Sequence, residues 1–264
     1  EGSQTLVGES ANTITGHTLK SNTEAKNYTI SYKAGTLTVT NRTEKYEITV
    51  TANSGEKTYD GQPMTVEGFK PLSFEVEGNT YTVSGLTASA TGTNVSDSKA
   101  VEVKGIAKVL DATGNDVTAQ FTVTTKNGQL TIKPVAIELT ADSDTKPYDG
   151  TALTKNSYQI TKGAFVGEEG LASVTVEGSQ TLVGESANTI TGYKLKANTN
   201  AENYTISYKT GKLTVTDRTE KYAITVEANS GEKTYDGQPL TVEGFKTLSF
   251  EVEGNTYTVS GLTA

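Results

Sequence analysis

Three tripeptides set an aromatic ring beside a carboxylate: Tyr59-Asp60-Gly61, Tyr148-Asp149-Gly150 and Tyr235-Asp236-Gly237. An exposed ring next to an acid is one way to grip a sugar. The same residue types also build a tight turn, and that reading is the stronger. The Asp side chain accepts from the backbone just beyond it, the Gly supplies a positive φ, and the Tyr ring packs on the domain. Pro63 and Pro239, soon after two of these tripeptides, argue in the same direction.

Other chemistry has less support. The runs Asp111 to Asp116 and Asp142-Ser143-Asp144 space oxygen donors as a calcium loop would, but neither is completed by a bidentate Glu. Turns between strands are expected there, and no metal. Lys146 and Asn203 fall in an early and a late strand of one repeat, the placement an intramolecular Lys–Asn isopeptide bond requires. Gln120 stands at the position of Asn203 in the neighbouring repeat, so such a bond would not be common to both. There is no cysteine, and the one histidine, His17, is replaced by Tyr193 in the matching copy. Nucleophilic or acid–base machinery built on Cys or His is therefore not a property of the repeat. We expect no enzyme, no catalytic residue and no cofactor.

The elements that position these residues are repeats. Residues 1–88 match residues 177–264 without a gap and differ at 12 of the 88 positions. A weaker half-repeat lies within that period: the Tyr-Asp-Gly tripeptides begin at 59, 148 and 235. A second landmark, Lys-x-Gly-x-Leu-Thr-Val/Ile, begins at Lys33, Lys126 and Lys209 and carries Gly35, Gly128 and Gly211. Two related repeat types, A and B, alternate. The reading places the end of a B repeat at 1–44, a complete A repeat at 45–134, a complete B repeat at 135–220 and the start of an A repeat at 221–264. Boundaries near 88 and 176 are the alternative phase. The polar stretches 40–46 and 216–222 read as linkers and favour the first.

Local patterns predict strands throughout. Tyr28, Ile30 and Tyr32 alternate with Thr29, Ser31 and Lys33, and Leu37 and Val39 alternate with threonines. This is the period of two that a half-buried strand shows. Further strands are expected over 48–52, 73–77, 81–84, 100–110 and 137–141. Asn127-Gly128 signals a type I′ hairpin between Phe121–Val123 and Leu130–Ile132. Ala34-Gly35 and Thr210-Gly211 suit a bulged loop at the equivalent places. Core positions are expected at Tyr28/Phe121/Tyr204, Ile30/Val123/Ile206 and Leu37/Leu130/Leu213. The fold class is all-β: a tandem array of small antiparallel β-sandwich domains, Ig-like or mostly-β grasp-like.

Composition is consistent with several small cores. Only 34% of the 264 residues are hydrophobic, there is no Trp, and Met64 is the sole methionine. The formal charge of −8 repels phosphate backbones and anionic lipid heads, so nucleic acid and membrane are poor partners. No apolar run approaches the roughly 18 residues a membrane-spanning helix needs. The sequence opens mid-pattern at Glu1-Gly2-Ser3-Gln4, so an export signal or wall anchor is expected outside this stretch.

The run Lys57-Thr-Tyr59-Asp60-Gly61-Gln-Pro63 resembles the start of the MBG/YDG-type repeats of bacterial extracellular proteins, and so does Lys146-Pro-Tyr148-Asp149-Gly150. The stretch from Asn203 to Val215 is similar to that family's closing segment, and Val183-Gly184 through Ile190 to its middle. The resemblance covers the chain in three passes. It implies a secreted or cell-surface repeat module of long adhesin-like proteins, and it implies no particular ligand. The absence of cysteine agrees with a habit of exported proteins of Gram-positive bacteria. The expected function is a structural stalk or fibre segment at the bacterial cell surface or wall. Its partners would be neighbouring repeats of the same protein, with self-assembly into a fibre. The alternative is repeats that themselves bind a host glycan or matrix protein, many weak contacts summing through multivalency.

Overall fold

A strand persists only where its backbone donors and acceptors find a neighbour. The computed structural model, which describes residues 2–264, is all-β, and among the described residues its only helical segments are 3-10 turns of three residues. The chain divides into two compact units. One comprises residues 2–57, 63–93 and 97–131, the other 58–62, 94–96 and 132–264.

In the first unit, strand Tyr46–Ala52 pairs in parallel with Phe121–Lys126, Tyr46 lying opposite Phe121. The long strand Asn79–Gly92 pairs antiparallel with Ser73–Val76 over 79–82, with Val103–Leu110 over 82–88 and with Met64–Glu67 over 89–92. Side chains facing inward from these strands (Ile48, Val50, Val83, Val109 and Phe121) form the core, with Tyr46, Phe74 and Tyr81 packed against it.

The second unit repeats this plan. Val135–Ala141 pairs in parallel with Tyr204–Lys209, Val135 lying opposite Tyr204. Beyond a bend, Asp144–Pro147 pairs in parallel with Gly211–Thr216, which pairs antiparallel with Gly184–Leu195. Leu171–Glu177 completes that sheet. Phe121 and Tyr204 are both buried, as are Leu130 and Leu213, and Val123 and Ile206 are both half-buried.

Two features of the expected fold are corrected. The strands are not all antiparallel, because strands early and late in each repeat run side by side in the same direction. Nor is there a hairpin at Asn127-Gly128: Phe121–Lys126 and Gly128–Lys133 lie in different sheets and pair with different strands. The chain passes from one sheet to the other there without reversing. Gly128 does not have a positive φ; a Cβ on it would lie 1.9 Å from the Asn53 carbonyl oxygen. Close backbone approach requires glycine at this crossing. Gly211 is held the same way: a Cβ on it would lie 2.4 Å from the carbonyl oxygens of Ala141 and Asp142, and the strands on either side of it lie in different sheets, which corrects the bulged loop expected at Thr210-Gly211. Two-residue hairpin loops with both central φ positive occur instead at Glu77-Gly78 and Glu253-Gly254.

The flanking segments depart from the core pattern as well. Gly8–Asn12 pairs with Gly35–Val39 in the same register as Gly184–Asn188 with Gly211–Val215. Residues 28–34 nevertheless form no strand, and Tyr28 and Ile30 are 62% and 43% exposed. The matching residues 204–209 pair in parallel with Val135–Ala141. Residues 222–228 likewise form no strand, whereas their matching residues 46–52 do, beside Phe121–Lys126.

Candidate functional site

The parallel pairing decides where the Tyr-Asp-Gly turns lie. Asp144–Pro147 runs beside the last strand of its repeat in the same direction, so the turn that follows sits next to the end of that last strand. The Tyr148 amide donates to the Thr216 carbonyl at 2.8 Å, and the Tyr59 amide donates to the Lys133 carbonyl at 2.8 Å. Each turn therefore stands at the outgoing end of its repeat. The parallel start of Val135–Ala141 and Tyr204–Lys209 puts Tyr204 at the incoming end.

The three turns share one geometry. Gly61, Gly150 and Gly237 all have φ of 77°. The carboxylates of Asp60, Asp149 and Asp236 accept from the amides of Gln62, Thr151 and Gln238 at 2.9, 2.9 and 3.0 Å. The Lys146 ammonium bonds Asp149 at 2.8 Å and the Thr151 hydroxyl at 2.7 Å. Together with the Thr151 N–H and O–H, it holds the Asp149 carboxyl well below the usual carboxylate range. Lys233 does the same for Asp236.

What differs is what the tyrosine meets. Tyr59, which belongs with the second unit, is 7% exposed. Its ring stands edge-on to Tyr204 at 5.8 Å, and its hydroxyl donates to Glu169 at 3.0 Å. Glu169 also accepts from the Tyr204 hydroxyl, which in turn accepts from the Val166 amide at 3.0 Å. Burial, then the neighbouring carboxylate, pushes both tyrosine hydroxyls above their ordinary pKa. A Cβ on Gly61 would touch Val166 at 3.0 Å. Close by, Asn203 is fully buried: its amide donates to Asn94 at 2.9 Å and its carbonyl accepts from the Val95 amide at 2.9 Å.

Tyr148 meets a different surface of the same chemistry. Its hydroxyl lies 2.7 Å from that of Tyr257, and Asn255 donates to the Gly150 carbonyl at 3.3 Å. Arg218 donates to the Tyr148 carbonyl at 3.1 Å and to the Tyr222 hydroxyl at 2.9 Å, with its guanidinium 4.0 Å above the Tyr222 ring. Tyr222 donates to Glu253. The hydrogen bond with Tyr148, then burial, pushes the Tyr257 hydroxyl up to about 12. The third turn touches nothing comparable: Tyr235 is 94% exposed, and no atom lies within 4 Å of a Cβ on Gly237.

The remaining candidates are placed as follows. Lys146 and Asn203 are not brought together. Lys146 lies opposite Val215 at the outgoing end and is bonded to Asp149, whereas Asn203 precedes Tyr204 at the incoming end. The Asp111 carboxylate accepts from Thr113 and from the backbone and side chain of Asn115, which lowers its pKa to about 2. These bonds close a turn. No group of three or more His, Cys, Asp or Glu side chains converges among the described residues. Gly35 has no neighbour closer to a Cβ than 3.8 Å.

Comparison of the chain with family models, with curated proteins and with solved structures returns no match in any of the three. Sequence reasoning missed Glu169, Arg218, Asn255 and Tyr257. The recurrence of Arg42 and Tyr46 as Arg218 and Tyr222, each pair four residues apart at the linkers, was a signal for the contacts of Arg218.

Proposed function

We propose that the chain is a structural segment of a bacterial extracellular surface protein built from MBG/YDG-like tandem repeats. It serves as a stalk or fibre element whose small sandwich-like domains are joined through their Tyr-Asp-Gly turns. The observation that carries this reading is the burial of Tyr59 against Tyr204 and Glu169, with the half-buried Tyr148 hydrogen-bonded to Tyr257. Aromatic contacts closed by hydroxyl bonds stabilise the seat of such a turn. Stability then adds along the array, each repeat touching its neighbours. Small-angle scattering from arrays of increasing repeat number tests this. Maximum dimension should grow nearly linearly with repeat number, and Tyr59→Ala with Tyr148→Ala should shorten it. Compact arrays would overturn the stalk reading.

A second reading is favoured by one observation. Tyr193 and Tyr208 stand edge-on at 6.2 Å, 38% and 45% exposed, and the matching pair His17–Tyr32 stands at 5.9 Å. A recurring exposed ring pair suits a host glycan bound weakly at many repeats. Glycan-array binding lost on Tyr208→Ala would establish it; binding that survives that change would exclude this surface.

A further inference from the structure

The surface that seats Tyr148 occurs twice. Arg218, Tyr222, Asn255 and Tyr257 are repeated 176 residues earlier as Arg42, Tyr46, Asn79 and Tyr81. In the first unit these four residues border a groove of about 700 Å³, which Phe121 also lines. Phe121 is the counterpart of Tyr204, the ring on which Tyr59 rests. The groove thus combines both surfaces on which this chain seats a Tyr-Asp-Gly turn.

The groove is already organised. The Arg42 guanidinium lies 4.0 Å above the Tyr46 ring, and its Nε donates to the Glu44 carbonyl at 3.0 Å. Arg218 makes the same two contacts with Tyr222 and Glu220. Asn79 donates to Glu77 as Asn255 does to Glu253. The rings of Tyr46 and Tyr81 lie 5.5 and 4.8 Å from Phe121. What the second copy adds is the turn itself: Tyr148 on Tyr257, the Tyr148 carbonyl on Arg218 and the Gly150 carbonyl on Asn255.

We propose that this groove receives the Tyr-Asp-Gly turn of a further repeat of the 135–220 type. The turn's tyrosine hydroxyl meets Tyr81, its tyrosine carbonyl meets Arg42 and its glycine carbonyl meets Asn79. The inference rests on the tandem-repeat reading and names the partner of its incoming end. The turn must be of the Lys-Pro-Tyr-Asp-Gly-Thr type, because that is the turn these four residue types hold in the second copy. Glycine suits it, since its φ of 77° is one an L-residue rarely adopts and a Cβ would press on the Tyr257 hydroxyl and the Asn255 amide at 2.8 Å.

The test compares the full chain with the same chain carrying a copy of residues 135–176 ahead of residue 1. Tyrosine nitration is read residue by residue by mass spectrometry. Protection of Tyr28 and Tyr32 reports that the added strands have folded onto 1–44. Tyr46 and Tyr81 should then react at least about fivefold more slowly, as contacts that suppress local opening do. Changing the added turn's tyrosine to alanine should restore their reactivity. Unchanged reactivity in the folded extended chain, or protection that survives the alanine, overturns the proposal. Should Tyr28 stay reactive, a peptide copy of residues 144–153 is titrated into the original chain. It should shift the ring resonances of Tyr46 and Tyr81, less so after Asn79→Ala, and no shift at saturating peptide overturns the proposal. Protection that appears in the unextended chain on raising its concentration assigns the groove to Tyr235 of a second molecule and overturns the choice of occupant. Scattering separates the two readings. An elongated extended chain with reactive Tyr46 and Tyr81 removes this proposal and leaves the stalk, whereas a compact one with both protected does the reverse.

Discussion

The hydroxyl of Tyr148 lies 2.7 Å from that of Tyr257, across 109 residues of sequence. Neither ring is held by this bond alone, because Arg218 ties the Tyr148 backbone to Tyr222 and Asn255 ties Gly150. Tyr148→Phe and Tyr257→Phe should each speed amide exchange severalfold in the hairpin Ser249–Val252 and Asn255–Thr258. The double change should cost less than the sum of the two, since they share one bond. Strict additivity measured by hydrogen exchange would show that the hydroxyls act independently.

The three turn glycines offer a comparison within one molecule. All have φ of 77°, where an L-residue costs about 1–2 kcal/mol. Gly237→Ala should cost that amount and no more, because its Cβ meets nothing within 4 Å. Gly150→Ala adds overlap with Tyr257 and Asn255 and should release residues 255–257 as well. Denaturant melts of the two variants, with exchange at 249–258, separate strain from contact.

Gly128→Ala should be among the most damaging single changes, about 3 kcal/mol or more, because the Cβ would overlap the Asn53 carbonyl. Gly35→Ala, the same motif position without that neighbour, should stay within about 0.5 kcal/mol. Equal effects in equilibrium unfolding would refute the crossing as the reason for the glycine.

The packing of Tyr59 and Tyr204 on Glu169 depends on pH in a defined direction. Both hydroxyls have folded pKa values above the ordinary 10.0, through burial first and the carboxylate second. Their contribution is fully present below about pH 10 and is lost as pH rises through the raised folded values. Tyrosinate absorbance should therefore show Tyr59 and Tyr204 among the late-titrating tyrosines, together with Tyr257, and Glu169→Gln should bring the titration of Tyr59 and Tyr204 earlier while leaving that of Tyr257 in place. Asp149 behaves oppositely: its carboxyl is depressed, so its contribution is present above about pH 4 and is lost as pH falls further. Lys146→Met should remove most of that acid sensitivity.

Leucines of the recurring Lys-x-Gly-x-Leu-Thr motif were legible because a period of two with one apolar face needs no long-range information: Leu130 and Leu213 are fully buried. The positive φ at the Tyr-Asp-Gly turns was legible for a similar reason, since Asp and Gly settle it locally. Tyr28 carries the same local signal as Tyr204 yet stays exposed, because its burial depends on a strand about 70 residues away in the repeat. Asn127-Gly128 reads as a hairpin, but Asn53 approaching Gly128 turns it into a crossing between sheets. The sequence by itself determined the repeats, the strand pattern and the turn chemistry. Which strands run parallel was decided only by the tertiary structure, and with it the position of each Tyr-Asp-Gly turn at the outgoing end of its repeat. That choice depends on pairing between segments some 70 residues apart, and short-range periodicity carries no trace of it.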